Sequence, residues 1–206
     1  MKQGPLLALE LSGPRSSIAL ALPGAAIVER GFGGERGRRL LAEVAALAEE
    51  TGTKPVDLAG VLVGVGPGSY TGLRIACAAA RTLAAALGIP VGGLCSFAAA
   101  ALAAPLGAEV DLLLDAYRGE VYHARYRRDE EPIEVVAPRV LARTEAAAAI
   151  AGDRLIGDPA LLGGNAGGVA VVAPEVAPTA RQLLLLGGSR PDRWLPPEPL
   201  YLRAAR

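Results

Sequence analysis

The tightest constraint on this chain is an internal echo. Leu6-Leu7-Ala8-Leu9-Glu10-Leu11-Ser12 is an apolar run closing on an acid; the turn residues Gly13-Pro14-Arg15 follow, and then a second run, Ser17-Ile18-Ala19-Leu20-Ala21-Leu22. Short β-prone runs bounded by Gly and Pro read as paired strands. Half a chain later the design returns. Leu112-Leu113-Leu114-Asp115 puts an acid where Glu10 stood, and Ala116-Tyr117-Arg118-Gly119 turns into Glu120-Val121-Tyr122-His123-Ala124. A third short run follows each hairpin, at 26–29 and at 133–136.

Helical signals come next. Leu40, Leu41, Val44, Leu47 and Ala48 recur on one helix face, with Glu43, Glu49 and Glu50 largely on the other. In the second half Thr144 reads as an N-cap before Glu145 and the alanines 146–149. Each half then offers a strand, 58–65 or 154–157, and later a helix, 73–87 or 180–186; an extra strand at 169–172 interrupts the second half. The shared order of strand, strand, strand, helix, strand, helix predicts an α/β protein of two lobes, 1–107 and 108–206. Two such lobes facing each other make the duplicated actin-like (ASKHA, ribonuclease H-like) architecture, in which the acid ending each lobe's first strand points into the cleft.

Composition excludes several chemistries. The 206 residues are 51% hydrophobic, enough for a packed core, and 21 basic against 21 acidic residues leave no net charge. Nucleic-acid binding by a lone chain normally draws on a basic surplus. One histidine, His123, and two cysteines leave almost no raw material for a histidine-built metal site or a Ser/His/Asp triad. Aromatics at 4% do not suit a stacking platform for bases. Cys77 and Cys95 lack a CxxC spacing and no secretory leader opens the sequence, so reduced thiols in a cytoplasmic protein are expected. The uncharged stretch 82–108 is broken by Gly88-Ile89-Pro90, Gly92-Gly93 and Pro105, which leaves no membrane span.

The sharpest local motif is Gly64-Val65-Gly66-Pro67-Gly68-Ser69-Tyr70-Thr71-Gly72-Leu73-Arg74. It follows a buried strand and opens a helix, where backbone N–H groups can face an anion and glycines permit close approach. It matches neither G-x-x-x-x-G-K-[ST] nor a dinucleotide fingerprint. On chemistry alone, a structural turn fits it as well as a phosphate loop does. Ser69 and Thr71 have no base nearby in sequence and read as caps of the helix that follows.

As a literal string, Gly66-Pro67-Gly68-Ser69-Tyr70-Thr71-Gly72 with Arg74 resembles the signature G-x-G-P-G-S-[FY]-T-G-[VL]-R of the TsaB family, also called YeaZ. The opening hairpin, the segment from Ile89-Pro90-Val91 to Ser96, the string Asp115-Ala116-Tyr117-Arg118-Gly119-Glu120-Val121-Tyr122 and the closing Glu198-Pro199-Leu200-Tyr201-Leu202-Arg203 are similar to that family in the same order. The chain departs from many relatives at Glu10, where Asp is common, at Gly37-Arg38, often His, and at Val65, where Arg occurs.

The resemblance implies a part in making N6-threonylcarbamoyladenosine at position 37 of ANN-decoding tRNAs. TsaB is the non-catalytic paralogue of TsaD and pairs with it through the two helices of each first lobe; the ATPase TsaE joins the pair. Zero net charge points to tRNA being held mainly by the partner. The catalytic paralogue carries a metal-binding His pair in the region of Phe97-Ala98-Ala99-Ala100-Ala101-Leu102, where alanines cannot ligate. No catalytic, metal or cofactor residue is therefore expected. Glu10 and Asp115 remain as cleft acids, Gly163–Gly168 as a surface loop, and His123 as a partly exposed structural histidine.

The helix over 73–87 is apolar almost all round, and its small residues let a neighbouring helix approach closely. Leu40, Leu41, Val44, Leu47 and Ala48 on the first helix, with Leu73, Ala76, Ala79, Ala80 and Leu83 on the second, are the expected partner interface, and copies of the lone chain can pair through the same helices. The competing readings are an autonomous phosphotransferase or metallopeptidase of this fold and a homodimeric binding module.

Overall fold

The computed structural model describes residues 3–24, 26–33, 36–163, 169–173 and 178–202. Its first strands, β1 (Leu6–Glu10), β2 (Ser16–Ala21) and β3 (Ile27–Phe32), form an antiparallel meander in which Leu9 faces Ile18 and Glu10 faces Ser17. Helix α1 (Arg36–Glu50) leads to β4 (Gly60–Gly66), which lies parallel to β1; α2 (Tyr70–Leu87) leads to β5 (Val91–Cys95), parallel to β4. The sheet order is β3-β2-β1-β4-β5. After α3 (Ser96–Ala100), the second sheet repeats this with β6 (Glu109–Tyr117), β7 (Glu120–Arg128), β8 (Pro132–Ala142), α4 (Arg143–Ala149), β9 (Arg154–Ile156) and β10 (Ala170–Ala173), in the order β8-β7-β6-β9-β10. This is the duplicated actin-like two-lobe fold.

The register of the repeat differs from the one predicted. The sequence reading finds no strand at 91–95, because Val91-Gly92-Gly93-Leu94-Cys95 has neither alternation nor bulk. It is a strand because β4 supplies a parallel template and Trp194 fills the space over Gly92, where any Cβ would collide with the indole. Strand β10 is therefore the counterpart of β5, and α5 (Ala180–Gly187) the counterpart of α3 rather than of α2. Where the first lobe has the 18-residue α2, the described residues of the second have only a short 3-10 turn, Pro159–Leu162.

The helices cross the line that divides the sheets. Phe97 and Ala100 of α3 pack with Val110, Leu112, Tyr126 and Ile156 of the second sheet. Ala180, Leu183 and Leu184 of α5 pack with Leu6, Ala8, Ala19 and Leu62 of the first. Beyond α5, Leu195 bridges antiparallel to Gly93 and the Leu200 amide donates to the Val65 carbonyl at 2.7 Å. This returning segment covers the backbone of β5, which would otherwise be an open edge.

Two expected caps are corrected. Thr144 lies inside α4, whose cap position is Ala142 and has no side-chain cap; the first amide of the helix, Arg143, donates instead to the Gly119 carbonyl at 2.8 Å. Thr71 lies in the first turn of α2, and Ser69 alone caps it, its Oγ accepting from the Gly72 amide at 3.2 Å.

The crossed packing has a measurable consequence. Leu183→Ala is expected to cost about 2–5 kcal/mol, read as a fall in the urea midpoint, while Leu185→Ala on the exposed side of α5 stays within about 0.5 kcal/mol. Equal midpoints for the two variants would contradict the seating of α5 on the first sheet.

Candidate functional site

The glycine-rich motif sits where two turns meet. A Cβ at Gly72 would strike the Leu11 carbonyl, and one at Gly68, held at φ +155°, the Ser12 carbonyl. The Ser69 amide donates to the Ser12 carbonyl at 2.8 Å, the Gly72 amide to Ser69 Oγ, and the Gly66 amide to Ser96 Oγ at 3.1 Å. The amides of Gly66, Ser69 and Gly72 are thus spent inside the fold. The motif works here as a strand-to-helix turn pressed against the β1–β2 turn, and between the two readings left open by its chemistry the geometry favours this one.

Glu10 does not enter the cleft. It is fully buried; one carboxylate oxygen accepts from the Ser12 amide at 2.7 Å and the other from Ser96 Oγ at 2.8 Å, in the space a Gly64 Cβ would need. Burial pushes its pKa up, against the hydrogen bonds from Ser12, Ser96 and the Leu11 backbone. Asp115 is exposed and does line the cleft, with Oδ1 accepting from the Tyr117 amide at 2.7 Å. The interlobe cavity holds about 210 Å3, and no Lys or Arg stands among its lining residues. Asp115 and Asp158 on its walls repel phosphate, and its floor is apolar, with Phe97, Leu112 and Ile156. Among the described residues no cluster of three His, Cys, Asp or Glu is placed to hold a metal ion, and no helix is long and apolar enough to cross a membrane. Most of Gly163–Gly168, together with Arg203, lies outside the described residues.

His123 is fully buried rather than partly exposed. Its Nδ1 accepts from Arg139 Nε at 3.3 Å, which assigns the proton to Nε2, and Nε2–H donates to Asp111 Oδ1 at 2.7 Å. Asp111 also accepts from Arg125 Nε and from the amides of Ala151 and Gly152. Burial pushes the Asp111 carboxyl up, but the bonds from His123, Gly152 and Ala151 and the charge of Arg125 outweigh it and hold the pKa below its ordinary value. Both imidazole nitrogens serve the packing of the second sheet. Neither thiol is poised to react; burial raises both, Cys77 to about 11.

The helix pair divides the predicted interface residues in two. Leu40, Leu47, Leu73, Ala76 and Ala80 are buried in the chain's own core, because the sheet beneath takes that face of each helix. Leu41, Val44, Ala48 and Leu83 instead line an apolar groove of about 260 Å3 between α1 and α2, and Ala79 is half-buried. Leu41, at the groove, is 58% exposed. Leu7, Leu20, Ala45, Thr53, Pro55, Leu58 and Leu87 complete the lining and escape the sequence reading. The signal for the floor is present in the strands: Leu7 faces Leu20 across β1 and β2, so a gap between the helices above opens onto both.

The two buried carboxyls act oppositely with pH. A carboxyl raised in the fold contributes stability that is fully present below its unfolded value, 4.5 for Glu10, and is lost as pH rises through the raised value. Asp111, lowered, contributes above its unfolded 3.8 and loses that contribution as pH falls through the folded value. Urea midpoints from acid to neutral pH are therefore expected to show Glu10→Gln gaining on the unsubstituted chain as pH rises, and the deficit of Asp111→Asn shrinking in acid. Parallel pH curves for all three proteins would contradict these assignments.

Comparison with known proteins places this geometry. A family model described as TsaD, tRNA N6-adenosine threonylcarbamoyltransferase, matches residues 36–160. The solved structure of YeaZ from Pseudomonas aeruginosa superposes with a TM-score of 0.85 at 27% identity, covering 97% of this chain and 100% of that one. An uncharacterized protein with similarity to peptidase YeaZ from Pseudomonas aeruginosa does so at 0.83 and 30% identity, covering 98% and 100%. The tRNA threonylcarbamoyladenosine biosynthesis protein TsaB of Bacillus subtilis is 36% identical over 101 residues, 48% of this chain and 44% of that protein. The chain spans half or less of the length of the curated relatives it matches. Together with the shared motifs and the repeated sheet, these matches establish that the chain belongs to the family described by the threonylcarbamoyltransferase model and, within it, to the TsaB (YeaZ) branch.

Proposed function

We propose that the chain is a non-catalytic subunit that activates a TsaD-type partner in N6-threonylcarbamoyladenosine modification of ANN-decoding tRNAs, with a TsaE-type ATPase joining the pair. The observation that carries this reading is the α1/α2 groove. It is apolar, it lies between the two helices, and it reaches the leucines of the sheet. An apolar concavity of this kind is stabilised when a partner's apolar side chains displace water from it. The matched segment begins at the first residue of α1 and includes both helices, so a partner of the same family carries a comparable pair and the two can meet as an antiparallel bundle. Copies of the lone chain can meet in the same way. The withdrawal of Glu10 into the core supports the non-catalytic reading, since Asp115 is left without the first lobe's acid beside it.

Reconstitution with the matching TsaD-type and TsaE-type proteins, tRNA and threonylcarbamoyl-adenylate is expected to lose modification when this chain is omitted. Unchanged modification would sink the activating role, and ATP turnover by the purified chain alone would favour an autonomous enzyme. Leu41→Asp is expected to weaken association with the TsaD-type partner at least tenfold by titration calorimetry, with the urea midpoint unchanged because Leu41 is a surface residue.

A further inference from the structure

The chain has five tyrosines. Two of them, Tyr122 and Tyr126, pack against the core of the second sheet. The other three are exposed, Tyr70 at 57%, Tyr117 at 66% and Tyr201 at 50%, and of these Tyr117 belongs to the interlobe cleft. Tyr117 lines the cavity directly, and Tyr70 follows Ser69, another lining residue. The Tyr201 ring stacks on Tyr70 with centroids 5.2 Å apart, and Arg74 lies 5.3 Å over the Tyr70 ring while donating to its hydroxyl at 2.8 Å.

The first hairpin of each lobe adds an arginine. Arg15 follows Pro14 in the β1–β2 turn, and Arg118 follows Tyr117 in the β6–β7 turn; Pro14 and Tyr117 line one cavity. Both arginines are exposed, and among the described residues neither side chain has an ion pair or hydrogen bond. The mouth thus carries the Tyr117 ring with two arginines next in sequence to its lining residues, while the cavity behind it carries Asp115 and Asp158. An anion is attracted to such a rim and repelled from its interior.

We propose that this rim is a direct contact site for single-stranded RNA, with Arg15 and Arg118 taking backbone phosphates and Tyr117 stacking on an unpaired base. Exposed aromatic rings beside arginines are the combination that unpaired nucleotides recognise, because every base has a π face and every linkage a charge. The acids behind the rim confine the strand to the surface and disfavour a free nucleotide inside the cleft. That the RNA is a tRNA anticodon loop rests on the modification reading above; the contact itself rests on the rim. Such a contact adds to the hold expected mainly from the partner. A neutral chain can still carry a local basic and aromatic edge.

The test is fluorescence anisotropy of the full chain, without partner, against a fluorescein-labelled anticodon stem-loop RNA over a salt series. Saturable binding that tightens as salt falls is expected. Combining Arg15→Ala with Arg118→Ala should weaken it about tenfold and lower the logarithmic salt slope by about 1.4, from two single-strand phosphates at about 0.7 each. Tyr117→Ala should weaken it at least about fivefold with the slope unchanged. Absence of saturable binding, or unaltered affinity in the double variant, would overturn the proposal. So would loss of TsaD-type partner association in that variant, since the rim would then be a protein interface. Leu41→Asp separates the two readings: it should weaken partner binding at least tenfold and leave RNA binding intact.

Discussion

Two backbone turns touch in the first lobe, and the rest of the structure is arranged around that contact. The β1–β2 turn and the β4–α2 turn approach so closely that side chains at positions 68 and 72 would collide with the carbonyls of Ser12 and Leu11. Glu10 locks the contact from beneath, bonding the Ser12 amide on one side and Ser96 on the other, while Ser96 holds the Gly66 amide. A buried carboxyl is costly unless its oxygens are satisfied. Here both are, and the knot fixes β1, β4 and the start of α3 relative to one another. A group that elsewhere in this architecture would face the cleft has become a structural strut.

The two lobes follow one plan unequally. Sheet order is identical, but α2 is long and apolar in the first lobe and reduced to a short turn among the described residues of the second. The asymmetry gives the first lobe a helix pair with a groove between its members and leaves the second lobe without an equivalent. The hairpin turns differ too: five residues join β1 to β2, two join β6 to β7, and at the second turn the non-glycine residues Tyr117 and Arg118 take positive φ. The helix groove and the interlobe cavity are lined by separate sets of residues.

Much of this was legible in the residues. The repeated apolar run, acid and glycine turn predicted both hairpins, and the α1 periodicity predicted its buried stripe at Leu40 and Leu47. The failures have physical causes. Strand β5 is set by its neighbour and by Trp194, 102 positions after Gly92, and carries little signal of its own. His123 alternates along its strand as a half-exposed residue would, yet Asp111 and Arg139 close over both nitrogens. The groove residues differ from the buried ones by a rotation of roughly 100° per residue about each helix, and a helix that is apolar all round does not say which side its own sheet takes. The exposed tyrosines escaped because composition averages over the surface: aromatics at 4% are scarce overall, yet Tyr117 stands at the cavity and Tyr201 stacks on Tyr70.

The return of α5 to the first sheet bears on the order in which the protein forms. The Ala180 amide is held by the Ser17 hydroxyl across 163 positions of sequence, and the bridge from Leu195 to Gly93 and the bond from Leu200 to Val65 close later still. On the ribosome, the first sheet is synthesised early but keeps one face and one edge open until the segment around 180–200 has emerged. Contacts of such long range are slow to form, and a chain waiting for them exposes apolar strand surface meanwhile. The N-terminal lobe is therefore first to be made and among the last to be finished, and truncation before α5 would remove its covering layer along with part of the second lobe.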